Sequence, residues 1–202
     1  MKYVILSGSH RPEGQSHKVS RYLAGRFAAR ERAPEIHLIS LADNPLPFWD
    51  EGMWKKTDRW KEAWSPHSAK LDECDGLVVV APEWGGMVPS GVKNFFLLCN
   101  GTQLAHKPGL IVTVSASRGG SYPVAELRMS SYKNSRLCYI PDHVIVHSVA
   151  DMLNDEQPAS DADARIRQRI DHAIGVFELY AGALGSIRSS DGLLSDEFKF
   201  GM

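Results

Sequence analysis

Short apolar runs alternate with helical spacing along this chain. Tyr3-Val4-Ile5-Leu6, Leu77-Val78-Val79-Val80-Ala81 and Leu110-Ile111-Val112-Thr113-Val114 are continuous and rich in β-branched residues. Strands covered on both faces read this way, so these three are predicted as central parallel strands. Glu35-Ile36-His37-Leu38-Ile39 alternates instead, and the stretch 137–149 alternates around Pro141-Asp142, with His143 and His147 among its apolar positions. Both are predicted as edge strands, where a wetter face and a proline are tolerated.

Helices are predicted between the strands. Val19, Leu23 and Phe27 recur at four-residue spacing, as do Val92 with Phe96 and Ala125 with Met129. Ser160 followed by Asp161 and Asp163 has the form of a helix start, and Ile166, Ile170, Ile174 and Phe177 then form one stripe. Five βα units imply an α/β three-layer sandwich: a five-stranded parallel sheet with helices on both faces. With the second and fifth strands at the edges, the flavodoxin-like order 2-1-3-4-5 follows. Residues 1–202 are read as one domain, with 186–202 as an aperiodic tail. Residues 43–66 carry Trp49, Trp54, Trp60 and Trp64. That is too aromatic for a linker, so the segment is expected to pack on the body or on a partner subunit.

Composition narrows the function. Of 202 residues 43% are apolar and 23% charged, with a formal net charge of -1. Such a balance does not provide the basic field that nucleic acid or an anionic membrane requires. Cys74, Cys99 and Cys138 form no C-x-x-C pair, which argues against a disulfide framework or an iron–sulfur centre. Cys99 is read as a core residue on the apolar face of its helix. The opening apolar run is too short for a signal peptide, and nothing approaches the roughly 20 apolar residues of a membrane span. The cytoplasm is the expected location.

In such a sheet, ligands bind beyond the carboxyl ends of the strands. The first loop there, residues 7–16, holds Ser7, Ser9 and Ser16, Arg11, and glycines 8 and 14, directly before a helix. A phosphate in it would gain backbone N–H donors, the helix dipole, hydroxyls and a charge-assisted bond from Arg11. The same residues also make an ordinary turn in which Ser16 caps the helix. The spacing of Gly8 and Gly14 and the absence of a following lysine exclude a Walker A loop, and no G-x-G-x-x-G is present. After the third strand, Trp84 stands beside Gly85 and Gly86: a wall for a flat ligand, or a turn with a packing tryptophan. After the fourth strand come Ser117, Arg118, Gly119 and Gly120, again permitting close backbone approach. The first, third and fourth strands are neighbours in the expected order, so their loops converge. A phosphate cup, an aromatic wall and a glycine-rich rim describe a mononucleotide with an extended planar ring.

These motifs resemble the NADPH-dependent FMN reductase family. Its first-loop pattern G-S-x-R…S is similar to Gly8-Ser9-His10-Arg11 and Ser16. Its P-E-Y-N…P-x-x-L-K-N pattern is similar to Pro82-Glu83-Trp84-Gly85 and to Pro89-Ser90-Gly91-Val92-Lys93-Asn94. Gly119-Gly120 before Leu127-Arg128, and the segment Asp43-Asn44-Pro45-Leu46-Pro47-Phe48, add to the likeness, which covers about residues 2–150. The resemblance implies FMN, with its phosphate held by Ser9, Arg11, Gln15 and Ser16. Pro82, Glu83, Trp84 and Gly85 would flank the isoalloxazine and ribityl chain, and Ser117, Arg118, Gly119 and Gly120 the pyrimidine end of the ring. Two departures stand out: Trp84 replaces a tyrosine and Gly85 an asparagine.

The implied activity is NAD(P)H-dependent reduction of quinones or similar small planar acceptors by ping-pong hydride transfer, in a homodimer or homotetramer. Flavin carries that chemistry, so no side chain is assigned as catalytic acid or base, and no metal is expected. His143 and His147 would lie about 13 Å apart on a strand at roughly 3.3 Å per residue, too far to share an ion. The rivals are an electron-carrier flavodoxin, whose usual strong acidity is missing here, and a non-catalytic FMN-binding protein.

Overall fold

The computed structural model describes residues 1–43, 45–191, 193 and 197. In chain order the elements are β1 (Lys2–Ser7), α1 (Gln15–Ala28), β2 (Glu35–Ser40), the single turn α2 (Gly52–Lys55) and α3 (Asp58–Glu73). Then follow β3 (Gly76–Pro82), α4 (Ser90–Leu98), β4 (Pro108–Val114), α5 (Ser121–Ser130), β5 (Cys138–Val146), a 3₁₀ turn at Val149–Asp151, and α6 (Asp161–Arg188). The five strands form one parallel sheet in the order β2-β1-β3-β4-β5. This is the order the edge-strand patterns predicted. Every residue of β3 and β4 is buried, as continuous apolar runs require when helices cover both faces.

Alternate residues of β1 feed two cores. Tyr3 and Ile5 join Val19, Leu23 and Phe27 of α1 and Ile170, Ile174 and Phe177 of α6. Val4 and Leu6 join Trp60 and Trp64 of α3, Val92 and Phe95 of α4, and Val124 and Leu127 of α5. Burial of one large apolar side chain in such a core stabilises by roughly 1.5–3 kcal/mol. Ser160 caps α6 by accepting a hydrogen bond from the Asp163 N–H. β5 runs through Pro141 with a register shift between Gly109 and Ile111 of its neighbour. An edge strand with a bulge makes this possible, since proline has no N–H to give the ladder.

Four expectations need correction. In α5 the buried positions are Pro123, Val124 and Leu127, while Ala125 is exposed and Met129 is 77% exposed. The helix begins at Ser121, and its starting angle turns that four-residue pair outward. In α4 the fully buried phenylalanine is Phe95, and Phe96 is only partly covered. Cys99 caps the end of α4 rather than lying within it. Burial nevertheless pushes its thiol well above the ordinary range. The tail expected from residue 186 starts later: α6 continues to Arg188, whose guanidinium meets Asp75 at 3.0 Å. Residues 192, 194–196 and 198–202 of that tail, and Asn44 of the 43–48 motif, lie outside the described residues.

The aromatic segment packs mainly on its own body. Trp60 and Trp64 are buried at 3% and 4% exposure, whereas Phe48 and Trp54 are exposed. Asp50 holds the bend before α3, accepting from the Gly52 N–H and the Trp60 indole N–H at 2.7 Å each. Asn94 of α4 ties down the chain ahead of it, accepting from the Trp49 N–H and donating to the Pro47 carbonyl, both at 2.8 Å.

Candidate functional site

Gly8 lies at the carboxyl end of β1, where its N–H donates to the Val80 carbonyl at 2.8 Å. A methyl there would stand 2.5 Å from Val92 Cγ2 and 2.8 Å from the Val80 oxygen, so only glycine fits. The chain then turns through Ser9, whose Oγ accepts from the Arg11 N–H at 3.2 Å. That bond leaves the hydroxyl proton of Ser9 for another acceptor. The loop closes where the Gly14 N–H meets the Arg11 carbonyl at 3.0 Å. A Cβ on Gly14 would collide with Ser9 Oγ.

Gly14, not Ser16, is the N-cap of α1, and no side chain caps the helix. Ser16 lies inside the first turn, buried at 1% exposure, and its hydroxyl has no hydrogen-bond partner. The turn reading, in which Ser16 caps the helix, is therefore not what the chain does. The N-terminus has no acidic residue in its first turn either. An uncapped helix start with unmet donors is a natural anion site. Gln15 and Arg11 are exposed beside it, and Arg11 makes no ion pair among the described residues.

The loops after β3 and β4 are wired to each other. Pro82 is buried at the end of β3, and the Glu83 N–H donates to the Val114 carbonyl at 2.9 Å. The Glu83 carboxylate accepts a short hydrogen bond from the Gly120 N–H. A Cβ on Gly119 would stand 2.7 Å from that carboxylate. Glu83 thus pins one loop to the other. Trp84 and Met87 exchange both backbone hydrogen bonds, at 3.0 and 3.1 Å, around Gly85 at φ +58° and Gly86 at φ +74°. Positive φ at both central residues is the signature of a type I′ turn, so backbone geometry asks for glycine or asparagine here. The Trp84 ring meets His10 edge to face at 4.5 Å between centroids, which joins this loop to the first.

Past β4, Ser115 Oγ accepts from the Ser117 N–H at 3.2 Å, and the Ser117 carbonyl accepts from the Ser148 N–H at 2.8 Å. Arg118 is exposed without an ion pair among the described residues. Gly120 has φ +112°, and its missing side chain is replaced by contacts with Ile145 and Thr113. The Thr113 hydroxyl beneath it is buried and unpartnered.

All twelve expected site residues thus lie at the carboxyl end of the sheet. Contacts join the first loop to the second, and the second to the third. Sequence reasoning missed Thr113, hidden within an apolar strand. It also missed the pinning role of Glu83, for which no local pattern exists. The donor set around Gly14 and Ser16 fits a phosphate, and the pinned glycine loops fit a flat ring.

The NADPH-dependent FMN reductase family matches residues 1–151. An NADPH azoreductase from Bacillus sp. (strain OY1-2) is 26% identical over 121 residues, covering 59% of this chain and 62% of that protein. This chain therefore spans less than two thirds of the azoreductase's length. An oxidoreductase from Corynebacterium diphtheriae superposes with a TM-score of 0.64 at 19% identity, over 91% of this chain and 95% of that one. The flavoenzyme NAD(P)H:acceptor oxidoreductase FerB from Paracoccus denitrificans superposes with a TM-score of 0.65 at 14% identity, over 92% and 97%. Those two likenesses establish the shared fold. With residues 1–151, three quarters of the chain and all three loops described above, covered by the match, the protein belongs to the NADPH-dependent FMN reductase family, which indicates FMN as cofactor and NAD(P)H as reductant.

Proposed function

We propose that the protein is an oxidoreductase that uses FMN and NAD(P)H to reduce quinones or similar small planar acceptors. The observation that carries this reading is the uncapped start of α1. There the buried Ser16 hydroxyl has no partner, Ser9 Oγ accepts from the Arg11 N–H and keeps its own proton free, and exposed Arg11 makes no ion pair among the described residues. Ser9, Arg11, Gln15 and Ser16 would hold the FMN phosphate. The Pro82, Glu83, Trp84 and Gly85 stretch would border the ring, with Ser117, Arg118, Gly119 and Gly120 at its far end. When bound, FMN would supply the hydride chemistry that links NAD(P)H to the acceptor.

The chain's own contribution is placement. Glu83 fixes the separation of the second and third loops through the Gly120 N–H. Gly119 and Gly120 let backbone approach the ring edge, and Trp84 offers an aromatic wall steadied by His10. No side chain is required as acid or base. We further propose a cytoplasmic homodimer or homotetramer, in which exposed Phe48 and Trp54 are covered by a neighbouring copy. Among the described residues no helix is long and apolar enough to cross a membrane.

The purified protein should show flavin absorption bands, or acquire them on adding FMN, and should oxidise NADPH in the presence of a benzoquinone. Protein that takes up no FMN would overturn the reading. An FMN-loaded form that leaves NADPH unoxidised with every quinone would favour a non-catalytic flavin binder. Light scattering that returns a monomer at micromolar concentration would remove the assembly.

A further inference from the structure

We propose that the cavity between the end of β5 and the first turns of α6 receives the phosphate-bearing adenosine end of the dinucleotide reductant, with Arg165 as its principal cation. The proposal rests on the reading that NAD(P)H reduces this protein.

The cavity encloses about 300 Å³ between Ile145, His147, Met152, Arg165, Ile166 and Arg169. Arg165, Ile166 and Arg169 follow helical spacing, so one face of α6 presents two guanidinium groups around an isoleucine. The two arginines differ in their commitments. Arg169 Nη2 donates to the His143 carbonyl at 3.0 Å and to Asp142 at 2.8 Å. Asp142 also lies 3.7 Å from His172, so its charge is engaged on that side. Arg165 is exposed and makes no hydrogen bond or ion pair among the described residues. Exposed His147 provides a further donor at the rim. Ile145, Met152 and Ile166 are half-buried and form an apolar floor. A cationic rim over an apolar floor matches a phosphate carried on a flat base.

Position supplies the link to the flavin site. Ile145 occupies the place of the missing Gly120 side chain, so one residue belongs to both the cavity and the third loop. Two residues past His147, the chain is already folded back onto that loop: the Ser148 N–H donates to the Ser117 carbonyl at 2.8 Å, and the Val149 N–H to the Ser115 carbonyl at 3.1 Å. The FMN phosphate is not a candidate occupant. Its proposed cup follows β1, three strand spacings from β5, or about 14 Å at 4.8 Å each. FMN has a single phosphate, so an anion received at the opposite edge would belong to a second phosphorylated ligand. The reductant is such a ligand, with a diphosphate and, in NADPH, a 2′-phosphate.

The test uses FMN-loaded protein and a binding readout that does not depend on turnover. Wild type, Arg165→Ala and Arg165→Lys are titrated calorimetrically with adenosine 2′,5′-bisphosphate and with ADP. Wild type should bind at least one of them. Arg165→Ala should weaken that binding about tenfold or more, the worth of one charge-assisted hydrogen bond, and Arg165→Lys should restore part of it. Weakening confined to the bisphosphate assigns the 2′-phosphate, and weakening of both assigns the diphosphate. Flavin content and melting temperature should stay unchanged in both variants. Equal affinities in wild type and Arg165→Ala, or no binding of either nucleotide, would overturn the proposal. FMN uptake and NADPH oxidation by the wild type judge the underlying reading separately.

Discussion

The two ends of the sheet treat charge in opposite ways. At the amino end, the groups that begin the strands are paired. The Lys2 ammonium meets Glu73 at 2.9 Å, and its backbone N–H meets Asp75 at 2.9 Å. Asp75 also takes Arg188 at 3.0 Å. Buried Lys107 donates to the carbonyls of Leu71 and Asp72 at 2.6 and 3.0 Å, and burial holds its ammonium below the ordinary lysine range. At the carboxyl end Arg11, Arg118 and Arg165 have no ion pair among the described residues, and the hydroxyls of Ser16 and Thr113 are buried without partners. Unmet polar groups cost stability, and at the carboxyl end Ser7, Ser16 and Thr113 are such groups. The amino end holds the fold together; the carboxyl end carries the open groups that the proposed cofactor site would use.

The strongest way to break that contrast is to damage fold and site together at Gly120. Its φ of +112° is a region that side chains avoid, and a Cβ would run into Ile145. Gly120→Ala should destabilise the protein by about 2–5 kcal/mol, summing backbone strain and overpacking. It should also displace the N–H that Glu83 holds. Chemical denaturation and FMN titration of the same variant measure both losses. Full retention of either would show that Gly120 does not couple them.

A pair of single substitutions then separates the two ends. Arg11→Ala should weaken FMN binding by about 1.5–3 kcal/mol and leave the melting temperature of the flavin-free protein unchanged. Asp75→Ala should do the reverse: a lower melting temperature with FMN affinity intact. If Arg11→Ala retains full affinity by fluorescence titration, the first loop is not the phosphate cup.

The pattern of the chain made the central strands legible, because β1, β3 and β4 are buried on both faces and their sequences contain almost nothing else. The place of the candidate site was legible for a related reason. Glycines and hydroxyls after three strands have few structural uses, and strand order brought them together. What stayed hidden depends on angle rather than composition. Ala125 and Met129 have the spacing of a buried face, but the starting point of α5 turns them outward, and Val124 and Leu127 do the packing. Arg165 and Arg169 fall outside the apolar stripe of α6, and nothing in their spacing marks a site. Only the fold of 147–153 back over the third loop shows that they flank a cavity.

A third prediction concerns the wall behind β2, away from both ends. The rings of His37 and His67 lie 6.3 Å apart. Both have lowered pKa values: burial and then Lys70 act on His37, and burial and then His37 act on His67. Folding therefore favours their neutral forms. Their contribution is complete above the unfolded value of about 6.5 and is lost as pH falls through the window below it. The melting temperature should drop from pH 7.5 to 5, and the drop should shrink in His37→Gln/His67→Gln. An unchanged slope in the double variant would assign the acid sensitivity to other groups.

The smallest expected effect tests how the second loop shapes the acceptor. The turn at Gly85-Gly86 changes the meaning of the missing side chains. Positive φ at both positions demands residues that tolerate it, and asparagine is foremost among these after glycine. A Cβ on Gly85 would meet only Met87 Cε at 3.7 Å. Gly85→Asn should therefore fold normally, adding an amide beside Trp84 without moving the backbone. In the proposed enzyme the glycines leave an open mouth in which a planar acceptor stacks on the indole, a contact worth about 0.5–1.5 kcal/mol beyond area burial. The added amide should hinder a bulky naphthoquinone more than a small benzoquinone. The measurement is kcat/KM for both quinones in both proteins, at unchanged flavin content. A ratio that moves by less than about twofold, roughly 0.4 kcal/mol, would mean that Gly85 serves the turn alone and that acceptor breadth is set elsewhere in the site.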